Sequence, residues 1–227
     1  LGAEFVRELE NGETLVIDEN GVESKIWSGA RSTHAMCVFE QIYFARPDSI
    51  LNGELAYETR QRLGAEVYRE HPVEADIVVG IPDSSTPHAV GLAAAAKIPY
   101  AEAIIRNRYV GRTFIAPDQK TRAQGVQTKF NAMRGVVEGK RLLVVDDSIV
   151  RSTTITRVIK MLRHAGAAEV HVRVASPPIK STCHFGVDMA TLSELIAAKM
   201  TIEEITKYID ADSLAYLSVD GLLRAVR

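Results

Sequence analysis

Hydrophobic positions in this chain follow two different periods. Over residues 1–27 they alternate in short stretches, "EFVREL", "TLVID" and "VESKIW", separated by Asn11-Gly12 and Asn20-Gly21. Asn-Gly between alternating segments is a hairpin signal, because both residues accept the left-handed backbone of a tight turn. From about residue 50, helical and strand patterns take turns. "ELAYETRQRLGAEVYRE" places Ala56, Leu63 and Val67 on one helical face. "ADIVVGI" reads as a short buried strand. "STPHAVGLAAAAK" supplies a capping hydroxyl and Pro87 ahead of an alanine-rich helix. "YAEAIIR" and "RLLVVDD" read as strands. Ile155, Val158, Ile159 and Leu162 have helical spacing, with Gly166 as the stop, and "EVHVRVAS" alternates as a strand. The repetition predicts an α/β fold, a parallel sheet flanked by helices. Such folds bind ligands at the carboxyl ends of their strands.

Composition narrows the partners. A chain of 227 residues, 46% hydrophobic, is long enough for one large domain or a domain with an appendage. A net charge of −2 gives no whole-chain reason to expect nucleic acid or an anionic membrane. No apolar run reaches the roughly 18 residues that span a bilayer, and no signal peptide is visible. Cys37 and Cys183 are the two cysteines, too few for a disulfide scaffold, so a reducing, cytoplasmic compartment is expected. Leu1 opens within a strand-like pattern, as in a piece of a longer polypeptide.

The candidate chemistry centres on Asp146 and Asp147, where a strand hands over to a helix. Two adjacent carboxylates repel, so a positive group is expected nearby. Three readings are open: a cap beside a solvated acid, a directly held metal, or binding of ligand hydroxyls or ligand-borne Mg2+. The next turn favours the last. Ser148, Ser152, Thr153 and Thr154 precede a helix N-terminus, which offers hydroxyls, free N–H groups and a positive dipole end to a phosphate. Together the pair and the turn describe a site for a sugar phosphate.

"VVDDSIVRSTT" closely resembles the phosphoribosyl-pyrophosphate (PRPP) signature of type I phosphoribosyltransferases, and "DDSIVR" resembles the form found in the glutamine PRPP amidotransferases, or amidophosphoribosyltransferases. That family usually has glycine where this chain has Ser152. "YFARPDS", "IPDSS", "NRYVGRTFI" and "SPPI" resemble further stretches of it, in the same order. The resemblance implies a type I phosphoribosyltransferase fold over 28–227, with 1–27 as remnant strands of an N-terminal glutaminase (Ntn-hydrolase) domain. The implied activity is transfer of the phosphoribosyl group of PRPP to ammonia, glutamine-derived in the full-length enzyme, at the first committed step of purine synthesis. The family's glutaminase nucleophile, an N-terminal cysteine, has no counterpart at Leu1, so glutaminase activity is not expected.

Site roles follow residue by residue from the same resemblance. Asp146 and Asp147 would meet the ribose hydroxyls or Mg2+. Ser148, Ile149, Val150, Arg151, Ser152, Thr153 and Thr154 would hold the 5′-phosphate. Asp83, Ser84 and Ser85 would line the pyrophosphate side, with Ser84 near Mg2+. Between Arg106 and Lys129 stand six lysines or arginines against one acid, Asp118. A loop longer than about 12–15 residues in a compact domain is usually functional or disordered. In the family this loop closes over PRPP, which assigns Arg108, Tyr109, Arg112 and Lys129 to the leaving group. Free cysteines are usually small buried hydrophobes. Here Cys37 and Cys183 match two ligands of the [4Fe–4S] cluster in the iron–sulfur subfamily, a cluster expected to be absent or incomplete in this chain. Purine nucleotides as feedback inhibitors and a homo-oligomer are implied partners. Two other readings stay open. A PRPP-binding regulator or inactive fragment of the fold would bind without turnover, and a DNA-binding appendage for a regulator is not visible. A base-salvage transferase is disfavoured by "NRYVGRTFI".

Overall fold

The computed structural model describes residues 2–27, 29, 35–107, 130–187 and 191–227. The chain divides into two compact units, Leu1–Val38 and Phe39–Arg227.

The first unit is built on a hairpin. Strand β1 (Glu13–Asp18) pairs antiparallel with β2 (Gly21–Ile26), in register from Glu13↔Ile26 to Asp18↔Gly21. Trp27 Nε1 donates to Thr14 Oγ1 at 2.9 Å. "EFVREL", expected as a strand, carries no regular structure. It has no ladder partner, and Arg7 turns instead to the Glu13 carboxylate at 2.5 Å.

The second unit carries a four-stranded parallel sheet. Its members are β5 (Ile77–Gly80), β8 (Arg141–Asp146), β9 (Glu169–Val174) and β10 (Ser213–Tyr216), in the order β10-β9-β8-β5. Two small antiparallel pairs lie outside it: β3 (Ile50–Leu51) with β4 (Glu54–Leu55), and β6 (Ile104–Arg106) with β7 (Phe130–Ala132). "YAEAIIR" is therefore not one strand. Tyr100 bridges Val78 in the main sheet, and the chain then turns away to form β6.

Six α-helices complete the described residues: α1 (Ala56–Glu70), α2 (Thr86–Ala96), α3 (Arg134–Val137), α4 (Thr153–His164), α5 (Ile202–Ile209) and α6 (Val219–Ala225). The strand alternation sorts the core into two layers. Ile77, Val79, Leu142, Val144, Val170, Val172 and Leu214 pack with Ile155, Val158, Ile159 and Leu162 of α4 and Ile205 and Ile209 of α5. Val78, Leu143 and Val145 pack with Leu63 and Val67 of α1, Ala89 and Leu92 of α2, and Leu222 of α6. The predicted apolar face of α1 is fully buried. Helices α1 and α2 cross so closely that only glycine fits at the crossing. A Cβ at Gly64 would stand 1.9 Å from the His88 carbonyl oxygen, and one at Gly91 would stand 2.0 Å from that of Gln61. Among the described residues no helix is long and apolar enough to cross a membrane.

Candidate active site

Asp146 ends β8, and Asp147 is the first residue beyond it. They are 8% and 4% exposed. The Ser85 hydroxyl stands between them, donating to Asp146 Oδ1 at 2.9 Å and lying 3.2 Å from Asp147 Oδ2. The Asp147 N–H donates to Asp146 Oδ1 at 3.0 Å and lies 3.1 Å from Ser85 Oγ. Ser85 holds the N-cap position of α2, yet its side chain makes no capping bond. The expected cap is drawn to the carboxylates, since a hydrogen bond to a charged acceptor is roughly twice as strong as a neutral one.

Burial and the neighbouring Asp147 charge push Asp146 well above the ordinary carboxylate range. Burial also raises Asp147, while the hydroxyls of Ser84, Ser148 and Ser85 and the charge of Arg60 pull it partly back. Arg60 is the positive group that the paired acids called for. It is 1% exposed, projects from α1, and donates to the carbonyls of Gln41 at 2.9 Å, Ala45 at 2.7 Å and Glu40 at 3.3 Å. Those carbonyls belong to a π-helical turn, Glu40–Phe44, and the residue after it. Sequence reading missed Arg60 because nothing near it in the chain is chemically distinctive. Its arginine lies in an ordinary amphipathic pattern.

The phosphate turn is the stretch from Ser148 to the start of α4. Ser148 donates to Asp147 Oδ1 at 2.8 Å. Ser152 adopts the left-handed conformation, φ 60° and ψ −11°, and its hydroxyl donates to the Arg151 carbonyl at 2.5 Å. Thr153 and Thr154 are exposed at the helix N-terminus. The Ile149 side chain is 3% exposed and packs in the core, so only its backbone is left for a ligand. The Val150 carbonyl accepts the Ile196 N–H at 3.0 Å, and Arg151 pairs with Glu194 at 2.8 Å. These two contacts tie the turn to a later segment that carries no motif.

The second loop, after β5, brings Asp83, Ser84 and Ser85 to the same rim, and its Pro82–Asp83 peptide is cis. Asp83 pairs with Arg106 at 2.6 Å. A pocket of about 130 Å³ lies here, lined by Pro82, Asp83, Thr86, Tyr100, Glu102 and Arg106 among others. Arg108, Tyr109, Arg112 and Lys129 lie outside the described residues.

Among the described residues no three of His, Cys, Asp and Glu group to hold a metal. The carboxylate pair nevertheless fits a hard cation. Two buried like charges with hard oxygen donors suit Mg2+, which keeps several waters and shares phosphate ligands. The cysteines do not supply a cluster by themselves. The chain has two, and a [4Fe–4S] cluster takes four thiolates. Cys37 is exposed. Cys183 accepts the Phe185 N–H at 3.3 Å, and that bond lowers its thiol pKa.

A family model for the phosphoribosyl transferase domain matches residues 47–178, a span that contains both loops. The chain belongs to the phosphoribosyltransferase family. Its sheet and flanking helices are the type I phosphoribosyltransferase fold that the sequence led us to expect. This phosphoribosyltransferase chain is 48% identical over 227 residues to an amidophosphoribosyltransferase of Synechococcus elongatus, covering 100% of this chain and 46% of that protein. It is 50% identical over 228 residues to an amidophosphoribosyltransferase of Archaeoglobus fulgidus, covering 100% of this chain and 50% of that protein. The solved structure of glutamine PRPP amidotransferase from B. subtilis, complexed with ADP and GMP, superposes with a TM-score of 0.87 at 51% identity, over 99% of this chain and 49% of that one. The chain thus spans about half the length of these relatives.

Proposed function

We propose that this chain is the synthase half of an amidophosphoribosyltransferase, transferring the phosphoribosyl group of PRPP to ammonia. One observation carries the reading: a buried, Ser85-bridged carboxylate pair at a strand end runs directly into a left-handed turn and a helix N-terminus. The half-length match to amidophosphoribosyltransferases supports the choice of acceptor.

In the reaction the C1–O bond to pyrophosphate breaks and a C1–N bond forms. Pyrophosphate leaves with the bonding pair, and the attacking ammonia loses a proton to solvent. Asp146 and Asp147 accept the ribose hydroxyls and favour the positive charge that builds on the ribose ring. The N–H groups and hydroxyls from Ser148 to Thr154 hold the 5′-phosphate at the start of α4. Asp83, Ser84 and Ser85 orient the pyrophosphate side, and Arg108, Tyr109, Arg112 and Lys129 would close over it. Asp146, Asp147 and Ser84 would hold Mg2+, which would supply charge neutralisation for the leaving group. Ammonia is already a good nucleophile, so the reaction asks for no Ser–His or Cys–His pair.

Residues 1–27, with the β1–β2 hairpin, are a remnant of a glutaminase domain, and glutamine supplies the ammonia in a longer polypeptide. Purine nucleotides act as inhibitors, a role suggested by the ADP and GMP of the B. subtilis structure. Cys37 and Cys183 are two of four cluster thiolates, and no step of the transfer uses them. The protein works as a homo-oligomer in the cytoplasm.

Pyrophosphate release from PRPP and Mg2+ tests the reading, with ammonium chloride or glutamine as nitrogen donor. Release with ammonium and not with glutamine is expected. Release that depends on a free purine base instead would overturn it in favour of salvage.

A further inference from the structure

Buried hydroxyls at the ends of β9 and β10, those of Ser176 and Tyr216, take no part in the reaction described above. Asp146 and Tyr216 are both in register with Val174, one in the β8–β9 ladder and the other in the β9–β10 ladder. They occupy one rung of the sheet with β9 between them. They also share a face, because alternate residues Leu142 and Val144 of β8 and Leu214 of β10 lie in the core under α4 and α5. Adjacent strands stand about 4.8 Å apart, so the two Cα atoms are about 10 Å apart. Val174 stands between them on the same rung and face, so a contact between the two has to pass over its small side chain, which a long tyrosine and one water can do.

Tyr216 is 4% exposed, and its hydroxyl has no hydrogen-bond partner among the described residues. Ser176, two residues past β9, is 2% exposed, and its hydroxyl is also unpartnered. The Ala175 N–H donates to the Asp146 carbonyl at 2.9 Å, which fixes the end of β9 against the end of β8. Asp146 Oδ1 accepts from Ser85 and from the Asp147 N–H. Its Oδ2 makes no hydrogen bond among the described residues. Buried hydroxyls are rarely left unpaired, because they lose their bonds to bulk water on folding. The two orphaned hydroxyls are fully buried, whereas Asp146 Oδ2 is not among the buried unpartnered atoms and lies at the edge of the site; together they offer a water three partners, the usual complement. Burial, and after it the Asp146 charge, push the Tyr216 phenol up, which puts the two groups within electrostatic reach.

We infer that Tyr216 is a positioning residue for Asp146: its hydroxyl, with that of Ser176, holds a buried water against Asp146 Oδ2 and sets the carboxylate's orientation toward the ribose. The ribose half of this statement rests on the proposed function, whereas the link between Tyr216 and Asp146 does not. A carboxylate oxygen has two lone pairs, so Oδ2 can accept from the water and from a ligand hydroxyl together.

Two measurements test it. The first needs no ligand: urea unfolding of the parent, Tyr216→Phe, Asp146→Ala and the double variant. A bridged Tyr216 gives a lower urea midpoint for Tyr216→Phe in the Asp146 background and no change in the Asp146→Ala background. The second is PRPP affinity by calorimetry with Mg2+ present, comparing parent and Tyr216→Phe. Loss of one bridging hydrogen bond weakens binding about three- to tenfold. Ser176→Ala should reproduce both effects in the same direction. An unchanged or raised midpoint for Tyr216→Phe in both backgrounds overturns the inference. Coupling in the cycle with unchanged PRPP affinity overturns it too, since the bond would then only support the fold. If the parent itself fails to bind PRPP, the proposed function falls, and the urea cycle alone upholds or overturns the link.

Discussion

Ser85 reaches Asp146 at 2.9 Å across 61 residues of sequence, and that bond joins the two loops of the site. Ser85 is fully buried and touches both carboxylates, so its hydroxyl is the group that lets them stand side by side. Ser85→Ala removes it and leaves the Asp147 N–H with Asp146 alone. The expected result is a loss of about 1–3 kcal/mol in urea unfolding, with PRPP turnover reduced at least about tenfold. Parent-like turnover would detach Ser85 from the site.

Asp146→Asn separates stability from function. The folded-state pKa of Asp146 is raised, so its contribution to stability is full below the ordinary aspartate range and is lost as pH rises through the folded value. Burial and the Asp147 charge make ionisation of Asp146 costly in the folded chain, a cost that the variant does not carry. The variant should therefore unfold at a higher temperature than the parent at pH 7, with the gap narrowing toward pH 4. Pyrophosphate release should fall by about a hundredfold or more. A less stable variant at pH 7 would show that another cation already neutralises the pair.

Arg60 carries a larger structural load than its surroundings suggest. Its guanidinium satisfies three carbonyls and faces the charge of Asp147. Arg60→Met leaves the three carbonyls without their donor and should cost at least about 3 kcal/mol, since each unsatisfied buried acceptor costs about 1–3 kcal/mol. Arg60→Lys should recover little of it, because an ammonium cannot span the three acceptors as the planar fork does. Full rescue by lysine would reduce Arg60 to a point charge.

His88 makes the fold acid-sensitive. Burial and the Arg60 charge hold its imidazole down at about 3, against an ordinary value of 6.5. Between those values the unfolded chain takes up a proton that the folded chain refuses, so stability falls as pH drops below 6.5. By pH 5 the loss from this one group is about 2 kcal/mol, at 1.36 kcal/mol per pH unit. His88→Leu should flatten the decline between pH 6.5 and 5 in urea midpoints. An unchanged slope would place the acid sensitivity elsewhere.

Ser152 holds a backbone conformation that costs a non-glycine residue about 1–2 kcal/mol. Its hydroxyl returns part of that through the bond to the Arg151 carbonyl. Ser152→Gly should raise stability by about 0.5–1 kcal/mol and tighten PRPP binding, since a bare backbone lets phosphate approach closer. Weaker binding would make the Ser152 hydroxyl a ligand donor.

Much of this architecture was readable in advance. The parallel strands, the apolar face of α1 and the place of Asp146 at a strand end follow from hydrophobic period and local chemistry. Arg60, Glu194 and Tyr216 did not stand out, because the site residues they bear on, Asp147, Arg151 and Asp146, lie more than forty residues away in the chain and each sits in an unremarkable local pattern. The capping hydroxyl expected at the start of α2 makes no capping bond, for a related reason. At the level of local sequence a cap was the best available partner, and only the fold delivers two stronger acceptors to the same hydroxyl. "EFVREL" shows the limit of alternation, since the pattern permits a strand but cannot supply a neighbour for it.

Strand β8 lies inside the sheet, with β5 on one side and β9 on the other. Its backbone groups are engaged from both flanks up to Asp146 itself, whose carbonyl accepts the Ala175 N–H. The consequence is entropic. The carboxylates are held in place before any ligand arrives, so little ordering remains to oppose association, and binding free energy is left to act on the bond that breaks.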